Sequence, residues 1–117
     1  MITIHGIKNC DTCRRARKWL DMHKIDHHYF DLRDASLPPA KVAEWLHHLG
    51  VDCLINSRGT TWKRLSIEER TNLTPERAIN LIIEHPTLIK RPIIEHAGTV
   101  TVGFGKEVQD RLLSDLH

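Results

Sequence analysis

Apolar and polar residues alternate at the start of the chain and then change to a helical spacing. The stretch Ile2-Thr3-Ile4 alternates and is rich in β-branched residues, which predicts a buried strand. A helix is predicted from about Asp11 to residues 22–24, and one of its faces carries Ala16, Trp19, Leu20 and His23. The segment 6–14 therefore passes from a strand into a helix.

A second strand and a second helix follow. Aromatic residues favour a strand over 27–32, and the order strand, helix, strand implies a right-handed βαβ unit with parallel strands. After a polar connection over 33–37, Pro39 suits the first turn of a second helix, and Gly50 is positioned to end it. The apolar side of this helix is formed by Val42, Trp45, Leu46 and Leu49.

Shorter elements are predicted for the middle of the chain. Residues 54–62 fit a short helical turn followed by a loop, and Ser66-x-x-Glu69 is a candidate capping box for another short helix. A clearer helix starts at Thr74-Pro75 and ends before Pro86. Its apolar side carries Ala78, Leu81, Ile82 and His85.

The last part of the chain predicts a β-hairpin and a final helix. Residues 91–95 and 99–103 fit two strands joined by a tight turn, and the helix has Val108, Leu112 and Leu116 on its apolar side. The order is then βαβ, a helical insertion, and ββα. We therefore predict an α/β, thioredoxin-like fold with a mixed four-stranded sheet. It forms a single domain over 1–117, with the helical insertion at roughly 39–85.

Length and composition narrow the class of protein. With 117 residues and a formal net charge of +2, the chain can bury a core without disulfides, and its charge is too even to indicate nucleic-acid binding. No apolar run is long enough to cross a membrane. Because Met1–Gly6 fits a strand rather than a signal peptide, we expect a cytoplasmic protein. Three cysteines in such a protein indicate catalytic, redox or metal-binding thiols.

The strongest candidate for chemistry is Cys10, at the junction of the first strand and helix. Unpaired backbone N–H groups and the positive end of the helix dipole favour a thiolate at this position. Arg14 follows one helical turn later and adds positive charge, as do the cations after it. Since the thiolate is the reactive form of cysteine, we predict that Cys10 is a nucleophile and that Arg14 stabilises it.

The remaining cysteines and the histidines have alternative interpretations. Cys13 completes a C-x-x-C spacing, so it either resolves a mixed disulfide at Cys10 or faces the next turn without a role. Cys53 precedes an apolar pair and is expected to be a packing residue. Adjacent histidines, as in His27-His28 and His47-His48, seldom chelate because their side chains diverge. One C-x-x-C without a second ligand pair is a weak zinc signal, so we expect no metal site.

Three separated motifs resemble one family. They are residues 4–12 (Ile-His-Gly-Ile-Lys-Asn-Cys-Asp-Thr), 56–62 (Asn-Ser-Arg-Gly-Thr-Thr-Trp) and 85–93, which ends in Lys-Arg-Pro-Ile. Over nearly the whole chain they are similar to the arsenate reductase (ArsC) family, with the YffB group as the nearest branch and the redox regulator Spx as a more distant relative. The resemblance implies a thioredoxin-like fold with a helical insertion in a cytoplasmic bacterial protein. It also implies glutathione- or thiol-dependent reductase chemistry, with glutathione as a co-substrate and no bound cofactor.

The resemblance also assigns site residues. Cys10 matches the catalytic cysteine, and Arg91 matches an arginine that contacts the bound oxyanion or thiol adduct. Two further oxyanion arginines correspond to Asn56 and Gly103, unless the alignment shifts and Arg58 is the surviving partner. Without these two guanidinium groups, the site lacks most of the bidentate hydrogen bonding that recognises a tetrahedral oxyanion. This argues against arsenate as the physiological substrate.

Several further residues are expected to bind substrate or glutathione. They are Asn9, Thr12, Asn56, Arg58, Thr60 and Pro92. For Arg58 and Thr60 the alternative is that they only shape a loop beside Gly59. Pro92 opens the third strand and would lie beside the nucleophile in a thioredoxin-like fold. We predict that its peptide bond with Arg91 is cis.

The predicted mechanism begins with attack of the Cys10 thiolate on an oxidised substrate, either a disulfide or an oxyanion. Cys13 or a glutathione thiol then resolves the adduct, and Arg91 orients the substrate or the glutathione. The expected partners are glutathione or a thiol-redox protein and a small oxidised substrate, without a membrane or direct nucleic-acid contact. The rival interpretation is a Spx-like regulator, in which oxidation of the Cys10–Cys13 pair switches binding to a protein such as RNA polymerase.

Overall fold

The computed structural model describes residues 1–34 and 37–116, with the backbone alone at residue 116. The elements in chain order are β1 (Ile2–Gly6), α1 (Asp11–Met22), β2 (His27–Asp31), α2 (Pro39–Leu49), α3 (Val51–Leu54), α4 (Thr60–Arg64), α5 (Ile67–Arg70), α6 (Pro75–Glu84), a 3₁₀ turn (Pro86–Leu88), β3 (Ile93–His96), β4 (Thr99–Val102) and α7 (Lys106–Leu116). Among these helices, none has both the length and the apolar character that crossing a bilayer requires.

The described chain forms two compact units. The first consists of Met1–Asp31 together with residues 91–116, and the second is Leu32–Lys90. The cysteine-bearing helix α1 belongs to the first unit, and α2 to α6 belong to the second. The expectation of one domain with an insertion at roughly 39–85 stays a prediction.

A mixed four-stranded sheet forms the centre of the first unit, with the strand order β2-β1-β3-β4. β1 runs parallel to β2, where Ile4 is opposite Tyr29, and antiparallel to β3, where Ile4 is opposite Ile94. β3 and β4 are the antiparallel strands of a hairpin. Its turn residues Ala97 and Gly98 both have positive φ, 50° and 78°, as tight two-residue hairpin turns require. The predicted sheet and hairpin are confirmed.

Helices α1 and α7 pack on one face of this sheet. Ile2 and Ile4 point to the same face because side chains alternate along a strand. The buried cluster that they form contains Ile2, Ile4, Ala16, Leu20, Ile94, Phe104 and Leu112. Trp19 meets Phe104 edge-on, with the ring centroids 5.4 Å apart. These apolar contacts fix α1 against β1, and the predicted contribution of Leu116 to the same side lies outside the described side chains.

The second unit is helical. α2 and α6 pack against each other, and their buried residues are Val42, Trp45, Leu46, Ala78, Leu81 and Ile82. Gly50 ends α2 with a φ of 80°, which favours glycine. The predicted capping box of Ser66 and Glu69 is present at the start of α5. Of the predicted polar connection over 33–37, residues 35–36 lie outside the described part of the chain.

The segment 54–62 differs from its prediction. The helical turn α3 ends at Leu54, and α4 is a further helical turn where a loop is predicted. Ile55 forms a bridge with Ile89, and the N–H of Asn56 donates to the carbonyl of Leu88 at 2.8 Å. This pairing between distant residues holds the chain extended at 55, and a local hydrophobic pattern contains no signal for it.

Candidate active site

The loop between β1 and α1 places Cys10 immediately before the helix. The N–H of Lys8 donates to the carboxylate of Asp31 on β2 at 3.0 Å, and the N–H of Cys10 donates to the carbonyl of Ile7 at 3.3 Å. The carbonyl of Cys10 accepts the N–H of Arg14 at 3.0 Å, and the backbone of Cys10 is extended. Cys10 is therefore the N-cap residue of α1, next to the N–H groups of the first turn, which have no carbonyl partner within the helix.

The sulfur of Cys10 lies among groups that stabilise its thiolate. Partial burial on its own raises the pKa of Cys10. Hydrogen bonds from the backbone N–H and the side chain of Cys13, and the hydrogen bond and charge of Arg91, outweigh burial and hold this pKa below its ordinary value. The side chain is half-buried, not enclosed. The arrangement favours a thiolate that a small reagent can reach.

Cys13 is the opposite kind of thiol. Its side chain is 1% exposed, and burial raises the pKa of Cys13 to about 12, with the neighbouring Cys10 adding to the effect. The sulfur fits against β1 because residue 6 is glycine. A Cβ on Gly6 would lie 2.5 Å from Cys13 Sγ and 3.2 Å from Cys13 Cβ. An accessible thiol with a lowered pKa and a buried thiol with a raised pKa are thus next to each other, which suits an exchange reaction in two steps.

Arg91 and Pro92 complete this group of residues at the start of β3. The Arg91–Pro92 peptide bond is cis, which confirms that prediction. Pro92 is fully buried, and its carbonyl accepts the N–H of Gly103 at 2.9 Å. The half-buried Arg91 interacts with the sulfur of Cys10. A guanidinium held beside a thiolate also offers hydrogen-bond donors to an anionic substrate.

Arg14 has a partner other than Cys10. Its guanidinium pairs with the carboxylate of Asp11 on the exposed side of α1. Exposed pairs of this kind are well screened by water. Thiolate stabilisation therefore rests on Arg91 and Cys13, and the role expected for Arg14 stays a prediction. Beside Cys10, Asn9 is exposed and Thr12 is half-buried, so both border the thiol pair.

Three of the expected binding residues belong to the second unit. The Asn56 side chain accepts the N–H of Arg58 at 3.2 Å, and its backbone carbonyl accepts the N–H of Gly59 at 3.3 Å. A Cβ on Gly59 would lie 2.9 Å from Asn56 Nδ2, so the amide is packed across this loop. Arg58 and Thr60 are exposed, and Thr60 begins α4. Asn56 shapes the loop, and binding by these three residues stays a prediction.

Gly103 has a backbone reason to be glycine. Its φ is 82°, in the left-handed region where a side chain is strained. Its N–H is also fixed by the carbonyl of Pro92. An arginine at this position would therefore require a different turn after β4.

The prediction that Cys53 is a packing residue is wrong. Its side chain is exposed on α3, because Leu54 and Ile55 are the residues of this segment that face inward, at 0% and 4% exposure. Across residues 1–34 and 37–116, no group of three or more His, Cys, Asp or Glu side chains is arranged to hold a metal ion.

Sequence reasoning missed two residues that shape the site, Gly6 and Asp31. A glycine at the end of a buried strand is a signal for close approach of another element. A carboxylate at the end of the neighbouring parallel strand is a signal for contact with the loop that leaves β1, since the carboxyl ends of parallel strands meet at one edge. Both signals are present in the sequence, although each is common.

These features define a thioredoxin-like α/β protein with an unequal C-x-x-C thiol pair at the start of its first helix and an arginine beside the first thiol. The chain belongs to the ArsC family, whose model matches residues 5–111. It is 41% identical over 107 residues to an uncharacterised protein of Haemophilus influenzae, covering 92% of this chain and 94% of that one. It is 31% identical over 109 residues to the global transcriptional regulator Spx 2 of Lactococcus lactis, covering 92% and 82%.

The solved structure of a YffB protein is similar to this chain, with a TM-score of 0.90 and 32% identity over 95% of this chain and 97% of that one. The family resemblance and the thioredoxin-like fold predicted from the sequence are confirmed.

Proposed function

We propose that this protein is a thiol-dependent oxidoreductase that uses Cys10 as its nucleophile and glutathione as its co-substrate. The observation that carries the proposal is the difference between the two thiols. Cys10 is accessible and has a lowered pKa, whereas Cys13 is buried and protonated. In thiol–disulfide exchange the attacking species is a thiolate with access to the substrate. Membership of the ArsC family supports the same class of chemistry.

The reaction is an exchange of disulfide bonds. The Cys10 thiolate attacks one sulfur of a small disulfide, which releases the other half as a thiolate and leaves a mixed disulfide at Cys10. Cys13 then attacks the Cys10 sulfur and expels the remaining half of the substrate as a thiolate, which leaves a Cys10–Cys13 disulfide. Alternatively, a glutathione thiolate attacks the substrate sulfur, forms a disulfide with it and releases the Cys10 thiolate. If Cys13 attacks, glutathione reduces the resulting Cys10–Cys13 disulfide. A disulfide suits this proposal better than a tetrahedral oxyanion, because the two positions that the family resemblance assigns to further oxyanion arginines are Asn56 and Gly103, which carry no guanidinium.

Turnover of hydroxyethyl disulfide by glutathione tests this proposal, with glutathione disulfide formation followed through glutathione reductase. The Cys10→Ser variant should lose turnover above the uncatalysed rate, because the hydroxyl is not ionised at neutral pH. Cys53→Ser is the matched control, since it makes the same change at an exposed cysteine of the second unit. Cys13→Ser separates a two-thiol mechanism from resolution by glutathione alone. Turnover by the Cys10→Ser variant at the rate of the parent chain would contradict the proposal.

A redox-sensing regulator is a second candidate function, which the 31% identity to Spx 2 favours. In this case, formation of a Cys10–Cys13 disulfide would change the affinity for a protein partner such as RNA polymerase. Pull-down from a bacterial lysate with reduced and oxidised chains tests it, with the Cys10→Ser, Cys13→Ser chain as the control. Stoichiometric recovery of a polymerase subunit in one redox state supports the regulator. Equal recovery with all three chains excludes it. Both functions need a compartment that keeps thiols reduced, such as the cytoplasm.

A further inference from the structure

Tyr29 on β2 lies beside Cys13 and has no part in the mechanism above. A Cβ on Gly6 would lie 2.5 Å from Cys13 Sγ and 3.5 Å from Tyr29 Cε2. The sulfur and the edge of the ring are therefore neighbours at the same glycine. Cε2 is bonded to the ring carbon that carries the hydroxyl. The guanidinium of Arg17 lies over the face of the Tyr29 ring, 4.1 Å from the ring centroid.

The hydroxyl of Tyr29 is buried, and among the described residues it has no hydrogen-bond partner. A buried polar group without a partner is costly and calls for an explanation. Burial raises the pKa of Tyr29, and the charges of Cys13 and Asp31 raise it further, against the opposing effect of Arg17. The hydroxyl therefore keeps its proton and is available as a donor.

Cys13 needs such a donor in the second step of exchange. While Cys10 is a thiolate, the thiol of Cys13 donates to it. Once Cys10 forms a mixed disulfide this charge is gone, but burial still opposes ionisation of Cys13. The groups that then favour a Cys13 thiolate are the backbone N–H of Ile7 and the charge of Arg91. Among the described residues, Tyr29 is a neighbouring side chain whose hydroxyl proton has no acceptor.

We propose that Tyr29 is a positioning residue for Cys13, whose hydroxyl donates a hydrogen bond to the Cys13 sulfur as this thiol ionises and attacks the mixed disulfide at Cys10. In this step the proton of Cys13 passes to a base in solvent, and the Cys13 sulfur forms a bond with the Cys10 sulfur. The bond between Cys10 and the substrate sulfur breaks, and the substrate leaves as a thiolate with the electron pair. The inference rests on the proposed function, with Cys13 as the resolving thiol.

Reaction with the aromatic disulfide dithiobis(nitrobenzoate) separates the two steps in a Cys53→Ser background. Cys10 releases a first equivalent of coloured thiolate at a rate that depends on reagent concentration. Cys13 then displaces a second equivalent from the mixed disulfide at Cys10, at a rate that does not depend on reagent concentration. The Tyr29→Phe variant keeps the ring and removes the hydroxyl. We expect it to change the first phase by less than about two-fold and to slow the second by about ten-fold, the loss of one hydrogen bond to a charged group. The pH dependence of the second phase should move to higher pH.

Arg17→Gln is the matched control, because it removes the cation over the Tyr29 ring and keeps the hydroxyl. Both phases of thiolate release by this variant should have the rates of the Cys53→Ser parent. If the Cys53→Ser chain releases a single equivalent, Cys13 does not resolve, and both its proposed role and the Tyr29 inference fail. If two equivalents are released and Tyr29→Phe leaves both phases unchanged, the Tyr29 inference alone is overturned. Equal slowing of the two phases also overturns it, because that result indicates a general structural effect.

Discussion

Arg91 supports the thiolate of Cys10 through a hydrogen bond and through its charge. Arg91→Gln removes the charge and keeps a polar side chain, so we expect the pKa of Cys10 to rise and its alkylation at neutral pH to slow several-fold. Arg91→Lys keeps the charge without the planar fork of donors and should give an intermediate result. The measurement is the rate of alkylation of Cys10 by iodoacetamide against pH, in a Cys53→Ser background.

The comparison variant is Arg14→Gln, which removes a cation one turn from Cys10. Because Arg14 pairs with Asp11 in solvent, the pH midpoint of alkylation should stay where it is in the parent chain. An upward movement in Arg14→Gln as large as that in Arg91→Gln would contradict the assignment of thiolate stabilisation to Arg91.

At the scale of single residues, the sequence predicts the chemistry of a side chain better than it predicts which groups surround that side chain. Cys10 is predicted from its place at a strand–helix junction, which is a local feature. Arg91 is far away in the chain, and only the family resemblance connects it with Cys10. The exposure of Cys53 cannot be predicted from the pattern because α3 has only four residues, too few to show which side faces inward. Tyr29 is predicted as a strand residue, but its place near Cys13 at Gly6 depends on the pairing of β1 with β2.

At the scale of elements, β1 and α1 approach closely at Gly6. A Cβ on Gly6 would lie 2.5 Å from the sulfur of Cys13, well inside the contact distance of two atoms, so Gly6→Ala must displace the first turn of α1. We expect this overpacking to lower the free energy of unfolding by about 1–3 kcal/mol, measured by urea unfolding.

Gly105→Ala is the control for this change. It adds the same methyl group before α7, where no heavy atom lies within 4 Å of the new Cβ, and should cost less than about 1 kcal/mol. Equal stability of Gly6→Ala and the parent chain would show that α1 can move away from β1 without cost.

Most elements could be predicted because each has its own local signal. Pro39 and Gly50 bound α2, Ser66 caps α5, and the hairpin turn contains Gly98, which tolerates positive φ. The exceptions are α4 and the 3₁₀ turn Pro86–Leu88, both next to the pairing of residues 54–56 with 88–90. Contacts between residues so far apart in sequence decide the backbone there, and helical periodicity over a few residues cannot report them.

At the scale of the whole molecule, the two thiols affect the folding equilibrium in opposite directions. The pKa of Cys10 is lowered in the folded chain. Between that pKa and the ordinary thiol value of about 8.5, the unfolded chain binds the additional proton, so stability rises with pH. Burial raises the pKa of Cys13 to about 12. Between the ordinary value and about 12, the folded chain binds the additional proton, so this thiol makes stability fall as pH rises.

We therefore expect the stability contributed by the pair to be greatest near the ordinary thiol pKa. Urea unfolding of the reduced Cys53→Ser chain at several values between about pH 6 and pH 10 tests this expectation, with each variant compared to that parent so that other titrating groups cancel. Cys10→Ser should remove the rise on the acid side, and Cys13→Ser should remove the fall on the alkaline side. If Cys10→Ser leaves the acid-side slope unchanged, Cys10 titrates alike in the folded and unfolded chains. The site would then not hold a stabilised thiolate, and the case for Cys10 as a nucleophile would lose its physical basis.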